Sequence, residues 1–343
     1  MKNSRIWGVA LVLLLAAVVF IFRGRMHFDV HSFAAQLRQV DGLHVAAGVA
    51  LILSCFWLRA MRWALFLQPQ KKVSAFTVLG SQFIGFTAVG LFGRLADLTR
   101  PYLVARRTQL SVSSQVAVYT VERMFDMGSA ALIFSGALAF MPKTPPMPHA
   151  EVIARLGRGS LLATLVLAIF AVALRVTGEA VARFAGMVFG VISAKLGESV
   201  AEKIRGFRDG LRVITSVREF LYALALSLVM WGMIAAAYVQ CAHAFTGTPQ
   251  LAHMTFAQTM ILLASSVAGS VLQLPIVGWF SQIGVTAAAM TGVLGVGVEA
   301  ATACGAVILA VCSLSVIPVG LIYARFEQIS LKTVAEESAQ AES

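Results

Sequence analysis

Residues 43–67 read LHVAAGVALILSCFWLRAMRWALFL, an apolar run in which the only formal charges, Arg59 and Arg62, stand near the end. About 20 apolar residues in a helix cross a hydrocarbon core of roughly 30 Å, so this run predicts a membrane-spanning helix. Arg59, Arg62 and Trp63 suit its end, because long basic side chains reach the interface and aromatic rings anchor there. The run indicates an all-α integral membrane protein.

The composition of the whole chain agrees with such a helix. Of 343 residues, 59% are hydrophobic and 13% are charged, which leaves too little polar surface for a soluble enzyme. We interpret the net charge of +11 as basic cytoplasmic loops that contact anionic headgroups, and not as nucleic-acid binding. Composition therefore excludes the soluble classes of protein.

Further apolar runs predict a polytopic transmembrane helical bundle of about six to eight spans. We expect an uncleaved first helix at 6–22, because no small-residue cleavage site precedes Arg23. The amphipathic stretch 31–41 is either an interfacial helix or a loop. One membrane domain over 1–325 and a disordered cytoplasmic tail over 326–343 are expected. The other predicted segments are 76–92, 115–140, 161–174, 221–245, 256–274, 277–298 and 300–323.

Two of these segments, 76–92 and 277–298, are rich in glycine and polar residues. Polar or interrupted backbone at membrane depth is tolerated only where protein or a watery cavity covers it. We therefore predict two re-entrant or broken helices, or helices that line a cavity. Their placement within 76–100 and 256–284 is compatible with an inverted repeat.

Basic residues predict the orientation. Lys2 and Arg5 precede the first helix, Lys71 and Lys72 follow the second, and eight Lys or Arg residues lie within 175–218. All three regions fall on one side if the N-terminus is cytoplasmic, since Lys and Arg accumulate in cytoplasmic loops. The sequence predicts a multi-pass protein of a bacterial inner membrane with both termini in the cytoplasm.

The segment 93–101, GRLADLTRP, places Arg94, Asp97 and Arg100 at three-residue intervals after a glycine-rich run. On one helix these residues would share a face and pair in sequence. Two arginines around one aspartate keep a positive charge, which suits the phosphate of a lipid headgroup. An ordinary cytoplasmic loop whose charges orient the helix explains the same spacing.

Glu122, Arg123 and Asp126 form a second charged group near the start of a long apolar run. Ionisable groups in a span are costly and find partners inside the bundle, so we predict that Arg94 or Arg100 pairs with one of these carboxylates. The arginines would attract a phosphate-bearing headgroup. The carboxylates would hold the arginines in place or form an ion pair with a cationic group of the lipid. A purely structural salt bridge between two helices is the alternative.

Neither a cofactor nor a metal is expected. The cysteines stand singly in apolar runs, without the spacing of a metal or redox site. They are Cys55, Cys241, Cys304 and Cys312. The sequence also has no phosphate-binding Gly-Lys-Ser/Thr loop, so direct use of ATP is not expected.

Several motifs, matching in order and separation, together resemble one family. They are LRAMRW at 58–63, GRLADLTRP at 93–101, YLVARR at 102–107 and ERMFD at 122–126. The chain resembles the flippase-like lysylphosphatidylglycerol synthase transmembrane-domain family of bacteria and archaea. The stretch 272–275, LQLP, with Gly278 and Gln282 is similar to the broken helix of that family near its C-terminus.

The resemblance implies movement of lipids or lipid-linked precursors between leaflets. Anionic phospholipids or polyprenyl-phosphate-linked lipids would be the partners, with the headgroup in a polar groove between the broken helices. The chain departs from the family at Ala96 and Asp97, where Gly-Glu is common, and at 284–287, where Gly-Val-Thr-Ala replaces Gly-x-x-Glu. We expect this protein to lack the synthase domain that some relatives carry, and therefore expect no aminoacyl-lipid synthesis. The candidate substrate-binding residues are Arg59, Arg62, Gln82, Arg94, Asp97, Arg100, Glu122, Arg123, Asp126, Gln273, Pro275 and Gln282.

Two other functions fit the sequence. A membrane enzyme acting on a lipid headgroup would use Glu122 or Asp126 as general base, although no paired histidine or Ser/Lys constellation is near them in sequence. A non-catalytic scaffold for envelope biosynthesis would not need glycine-rich polar segments. Packing of those segments as plain spans without a cavity would favour the scaffold.

Overall fold

The structure is a computed structural model that describes residues 28–140, 150–191, 216–270 and 277–331, with the single positions 193 and 198. Within these ranges all regular structure is helical, which confirms the all-α prediction. The helices are α1 (Val30–Arg38), α2 (Gly42–Leu67), α3 (Ala75–Phe92), α4 (Thr99–Thr108), α5 (Val112–Ala139), α6 (Ala150–Gly190), α7 (Val217–His243), α8 (Pro249–Ala252), α9 (Phe256–Gly269), α10 (Val277–Leu294), α11 (Val298–Leu309) and α12 (Val316–Phe326). A 3₁₀ turn (Gly93–Ala96) precedes α4, and a π-helical turn (Ala310–Leu314) joins α11 to α12.

Five helical segments in the described ranges are long and apolar enough to cross a membrane: α2, α3, α7, α10 and the stretch from α11 to α12. The chain is therefore a multi-pass membrane protein, as predicted. Helix α5 is also long enough, at 28 residues, and its middle carries Glu122, Arg123 and Asp126. The predicted span 161–174 lies inside α6, and the predicted first helix 6–22 lies outside the described residues.

Side-chain caps decide where several helices begin. Asp29 accepts a hydrogen bond from the backbone N–H of His31, so the stretch predicted as helix or loop is the helix α1. Ser216 and Thr255 form capping boxes at the starts of α7 and α9. Each cap satisfies backbone N–H groups that the first turn of a helix leaves free.

One end of the bundle, which we call the basic end, gathers the end of α2, the start of α3, the end of α4 and the end of α12. There Lys71 Nζ donates to the carbonyl oxygen of Thr108 at 2.9 Å. Arg107 of α4 forms an ion pair with Glu327, directly after α12. Helices α3 and α4 therefore form a hairpin that enters and leaves by the basic end.

The opposite end, which we call the far end, joins α1 to the connection after α7. The N–H of Asp41 donates to the carbonyl oxygen of Ala244 at 2.8 Å. Helix α9 begins at this end, and α10 leads back to it, because Glu299 at the start of α11 accepts the N–H of Asp29 at 3.3 Å. Helices α9 and α10 thus form a second hairpin, and the two hairpins enter from opposite ends, as an inverted repeat requires.

The position of the first break corrects the sequence prediction. Residues 76–92 lie in the continuous helix α3, whereas the predicted segment 277–298 contains helix α10, which ends at Leu294, and a break at 295–297 before α11. The first break follows α3 at Gly93, whose φ of 69° strains residues other than glycine. Helix α9 ends at Gly269 and α10 begins at Val277; of the residues between them the structure describes only Ser270. A continuous helix such as α3 satisfies its own backbone groups at membrane depth.

A glycine allows each hairpin to close. A Cβ added at Gly85 of α3 would lie 2.7 Å from Cβ of Arg100 and 3.1 Å from its Cα. A Cβ added at Gly269 of α9 would lie 2.8 Å from Cα of Gln282. In both hairpins the second helix therefore packs directly against the backbone of the first.

The Gly85→Ala substitution is expected to lower the stability by about 1–3 kcal/mol, because overpacking must push α4 away from α3. Thermal unfolding of the purified protein in detergent measures the change. Gly128→Ala in α5 is the control, since an added Cβ there meets nothing within 4 Å and alanine favours the helix. Equal unfolding temperatures for the two variants would contradict the close packing of this hairpin.

Candidate functional site

A cluster of charged side chains lies inside the bundle below the basic end. This arginine cluster brings together six of the predicted site residues: Arg59, Arg62, Arg100, Glu122, Arg123 and Asp126. They come from α2, α4 and α5. Arg59 stands eight residues before the end of α2, about 12 Å along the helix axis. The cluster is therefore inside the span and not at its surface.

Glu122 is the centre of the arginine cluster. Its Oε1 lies 2.9 Å from Nη2 of Arg62, and its Oε2 lies 2.8 Å from Nη1 of Arg100. Since the Glu122 residue has no exposed surface, its charge is compensated by arginines and not by solvent. The predicted pairing of Arg100 with a carboxylate of the second charged group is confirmed, and it ties α4 to α5.

Both terminal nitrogens of the Arg62 guanidinium are engaged, whereas its Nε has no hydrogen-bond partner among the described residues. Its Nη2 lies 2.7 Å from Oδ1 of Asp126 in addition to Glu122, and its Nη1 donates to Oγ of Ser227 at 2.6 Å. These contacts join α2, α5 and α7. Ser227 was not predicted from the sequence, because a serine inside an apolar helix usually bonds to its own helix. Arg62 therefore has a structural role.

Arg59 is held less tightly by the same carboxylates. Its Nη1 lies 3.5 Å from Oε1 of Glu122 and 3.4 Å from Oδ2 of Asp126, distances at which hydrogen bonds are weak. Its guanidinium lies 4.7 Å above the ring of Phe86. A guanidinium offers five N–H donors, so Arg59 keeps donors for a further acceptor.

Arg100 is enclosed by aromatic rings. Its guanidinium carbon lies 5.1, 4.8 and 4.9 Å from the ring centres of Trp63, Phe86 and Tyr119, within reach of cation–π attraction. The Arg100 residue is only 4% exposed, and its charged partner is the carboxylate of Glu122.

For one of these rings, that of Tyr119, the sequence indicates a contact with another arginine of the cluster. Tyr119 stands four residues before Arg123 on α5, and its ring centre lies 5.2 Å from that guanidinium; the helical spacing alone predicts such a contact. Trp63 and Phe86 lie on α2 and α3 and reach Arg100 only through tertiary packing. No sequence pattern indicates that contact.

The cluster carries an excess of positive charge. Its four arginines contact two carboxylates. The negative charge of Asp97 also attracts Arg123. Gln82 of α3 contributes a neutral acceptor, since its Oε1 receives Nη1 of Arg100 at 3.2 Å. A buried excess of this kind favours the binding of an anion.

The remaining predicted residues are placed as follows. Arg94 lies in the 3₁₀ turn, and its side chain is outside the described part of the chain. Asp97 lies in the turn before α4, so Arg94, Asp97 and Arg100 do not lie on one helix. The cause is the break at Gly93, which ends α3 before the first arginine. Gln273 and Pro275 lie outside the described residues.

A cavity of about 320 Å³ adjoins the arginine cluster on the side of Arg59, which is the only charged residue among its described lining. Val89 near the end of α3 and Val267 near the end of α9 both line it. The cavity therefore lies where the two hairpins meet. Both glycine-rich segments contribute, α3 through Val89 and α10 through Gln282, which confirms that they are cavity-lining elements.

Three polar side chains form a trio in the cavity wall. The hydroxyl of Tyr238 donates to Oγ of Ser266 at 2.8 Å, and Nε2 of Gln282 donates to the same oxygen at 2.7 Å. All three residues are more than nine-tenths buried. Gln282 was a predicted site residue, whereas Tyr238 and Ser266 were not, because single polar residues in apolar helices carry no distinctive pattern.

Comparison with curated proteins and with solved structures gives no match to this chain. One family matches, described as Lysylphosphatidylglycerol synthase TM region, over residues 5–322. This match agrees with the resemblance inferred from the motifs and links the protein to lipid handling in membranes. Because the match covers most of the chain, the protein belongs to the Lysylphosphatidylglycerol synthase TM region family.

Proposed function

We propose that this protein moves a lipid with a phosphate-bearing headgroup across the membrane, as a flippase does. One observation carries the proposal: Arg59 connects a buried cluster of excess positive charge to a cavity between two hairpins that enter from opposite ends. A charged headgroup needs a polar site at membrane depth, while its tails stay in lipid.

The arginine cluster suits a phosphate. Arginine binds phosphate oxygens through a planar fork of N–H donors, and the loosely held Arg59 is the guanidinium that lines the cavity. Arg100 and Arg123 strengthen the positive field behind it. Glu122 and Asp126 hold the arginines in place.

The two hairpins supply a way to alternate access. In transporters with inverted repeats, the substrate site lies near the midplane between the repeats, and movement of one repeat against the other exposes it to each side in turn. The cavity is lined by both hairpins, which supports such a mechanism. Val267 at its edge is 48% exposed on the outside of the bundle, so lipid tails can stay in the bilayer next to the cavity.

The charge of the two ends suggests the orientation. The basic end carries Lys71, Lys72, Arg106, Arg107 and Arg325 in its helix ends and connections. In the described part of the far end four acidic residues, Asp29, Asp41, Glu151 and Glu299, stand beside three basic ones, Arg38, Arg155 and Arg158. The basic end would face the cytoplasm of a bacterial cell, because Lys and Arg accumulate there.

The site favours translocation over the two alternative functions. A membrane enzyme would need a base in contact with its substrate, but Glu122 and Asp126 are both bound to arginines and neither is among the described residues that line the cavity. A scaffold would need no polar cavity between hairpins. We therefore propose a transporter and not an enzyme.

Translocation in proteoliposomes tests the proposal. The protein is reconstituted with fluorescent phosphatidylglycerol, aminoacylated phosphatidylglycerol or a polyprenyl-phosphate lipid, and a membrane-impermeant quencher reports the label in the outer leaflet. We expect at least one phosphate-bearing lipid to exchange leaflets faster than in protein-free liposomes, with or without an imposed proton gradient and potential. Folded protein that moves none of these lipids under any condition contradicts the proposal.

A further inference from the structure

The cavity has a chemical character beyond its positive charge. We propose that it selects a lipid headgroup that combines one phosphate with uncharged hydroxyl groups, and that it rejects headgroups carrying an amine. This assignment rests on the proposed function, because it names the substrate class of the same site. Three features of the lining carry it.

The first feature is the charge of the lining. Arg59 is the only charged residue among the described lining residues. The nearest carboxylates, Glu122 and Asp126, each lie within 2.9 Å of Arg62, so their charge is already compensated. Among the described lining residues an ammonium group would meet a like charge and no carboxylate, which is costly at this depth.

The second feature is the free hydrogen-bonding capacity of the trio. Oγ of Ser266 already accepts two hydrogen bonds, so its own proton is the group left to donate. In the described part of the chain, Oε1 of Gln282 accepts no hydrogen bond while its Nε2 is engaged. One donor and one acceptor side by side match a hydroxyl group, which both donates and accepts.

The third feature is an unpartnered donor. Nε1 of Trp231 is buried in the cavity lining and has no hydrogen-bond partner among the described residues. A buried N–H without an acceptor is rare and costly, and the indole can only donate. A phosphate oxygen of the same ligand whose charge Arg59 balances would satisfy it.

Two kinds of lipid share this chemistry. A glycerophospholipid with a polyol headgroup and a polyprenyl-phosphate sugar each carry a phosphodiester followed by hydroxyl groups. The cavity binds the shared part. The length and branching of the tail lie outside the cavity in lipid, so binding of the two lipids must be compared directly.

Equilibrium binding in detergent micelles tests the assignment. The probes are phosphatidylglycerol, phosphatidic acid, lysyl-phosphatidylglycerol and a polyprenyl-phosphate sugar. We expect phosphatidylglycerol or the polyprenyl-phosphate sugar to bind at least tenfold more tightly than lysyl-phosphatidylglycerol. Equal or tighter binding of the aminoacylated lipid would overturn the assignment.

Substitutions in the trio give the matched comparison. Ser266→Ala is expected to weaken phosphatidylglycerol binding about tenfold and to leave phosphatidic acid, which has no headgroup hydroxyl, unchanged. Ser265→Ala is the control, because Ser265 bonds to the carbonyl oxygen of Leu262 in its own helix. If folded Ser266→Ala loses binding of both lipids, or of neither, the trio does not recognise the headgroup hydroxyl.

A charge-introducing variant tests the assignment in the opposite direction. Gln282→Glu keeps the size of the side chain and adds a carboxylate to the cavity, so the preference for phosphatidylglycerol over lysyl-phosphatidylglycerol should shrink at least tenfold. An unchanged preference in the folded variant would overturn the assignment. Binding is measured without transport: selective binding with no translocation refutes only the flippase proposal, and translocation of all lipids alike refutes only the selectivity.

Discussion

Replacing Glu122 by glutamine is expected to destabilise the folded protein by about 3–5 kcal/mol, the cost of leaving buried charges without their partner. The substitution keeps the shape of the side chain and removes the charge that Arg62 and Arg100 contact at 2.9 and 2.8 Å. Both arginines are almost completely buried, so water cannot replace the carboxylate. Thermal unfolding and size-exclusion chromatography in detergent measure the effect.

Glu327→Gln is the matched control for this prediction. Glu327 also forms an ion pair with an arginine, Arg107, but at the basic end, where Arg107 is exposed. Exposed ion pairs contribute about 0–1 kcal/mol, so this variant should unfold close to the wild-type temperature. If the two variants lose the same stability, the centre of the arginine cluster is not the structural lock that its geometry indicates.

The sequence predicted the helices well because apolar length leaves few alternatives. The run 43–67 became α2, Gly42–Leu67, and 221–245 became α7, Val217–His243. It did not predict which end each hairpin returns to. That depends on tertiary contacts between residues distant in sequence, such as Lys71 with Thr108.

The charged site was predicted in part for a physical reason. An unpaired carboxylate in a span has a high free-energy cost and must find a cation. The pairing of Glu122 with Arg100 could be predicted from this cost alone. The different roles of Arg59 and Arg62 did not follow, since they differ by less than 1 Å in their distances to the same carboxylates. Such differences depend on tertiary packing, and no sequence pattern indicates them.

The polar residues that line the cavity could not be predicted from the sequence. Tyr238, Ser266 and Trp231 are single polar groups in apolar helices, and each is compatible with an ordinary core position. Their contact with one cavity arises because α7 and α9 pack together there. Both the polar segment 277–298 and the resemblance pointed to Gln282, and neither indicated its partners.

Replacing Arg59 by alanine is expected to slow headgroup translocation at least tenfold while the protein stays folded. Arg59 lines the cavity and makes only long contacts with Glu122 and Asp126, so both carboxylates keep shorter arginine contacts when it is removed. What is lost is the guanidinium that faces the headgroup; a charge-assisted hydrogen bond to a buried group contributes about 1.5–3 kcal/mol, tenfold or more in rate.

Arg106→Ala is the charge control for this prediction, and Arg62→Ala is the structural comparison. Arg106 is exposed on α4 at the basic end, so its removal lowers the net charge equally but should leave translocation near the wild-type rate. Arg62→Ala should unfold the protein, because Arg62 joins three helices. Translocation at the wild-type rate by folded Arg59→Ala would assign the arginine cluster to structure alone, since the guanidinium that lines the cavity in the described part of the chain would then take no part in moving the lipid.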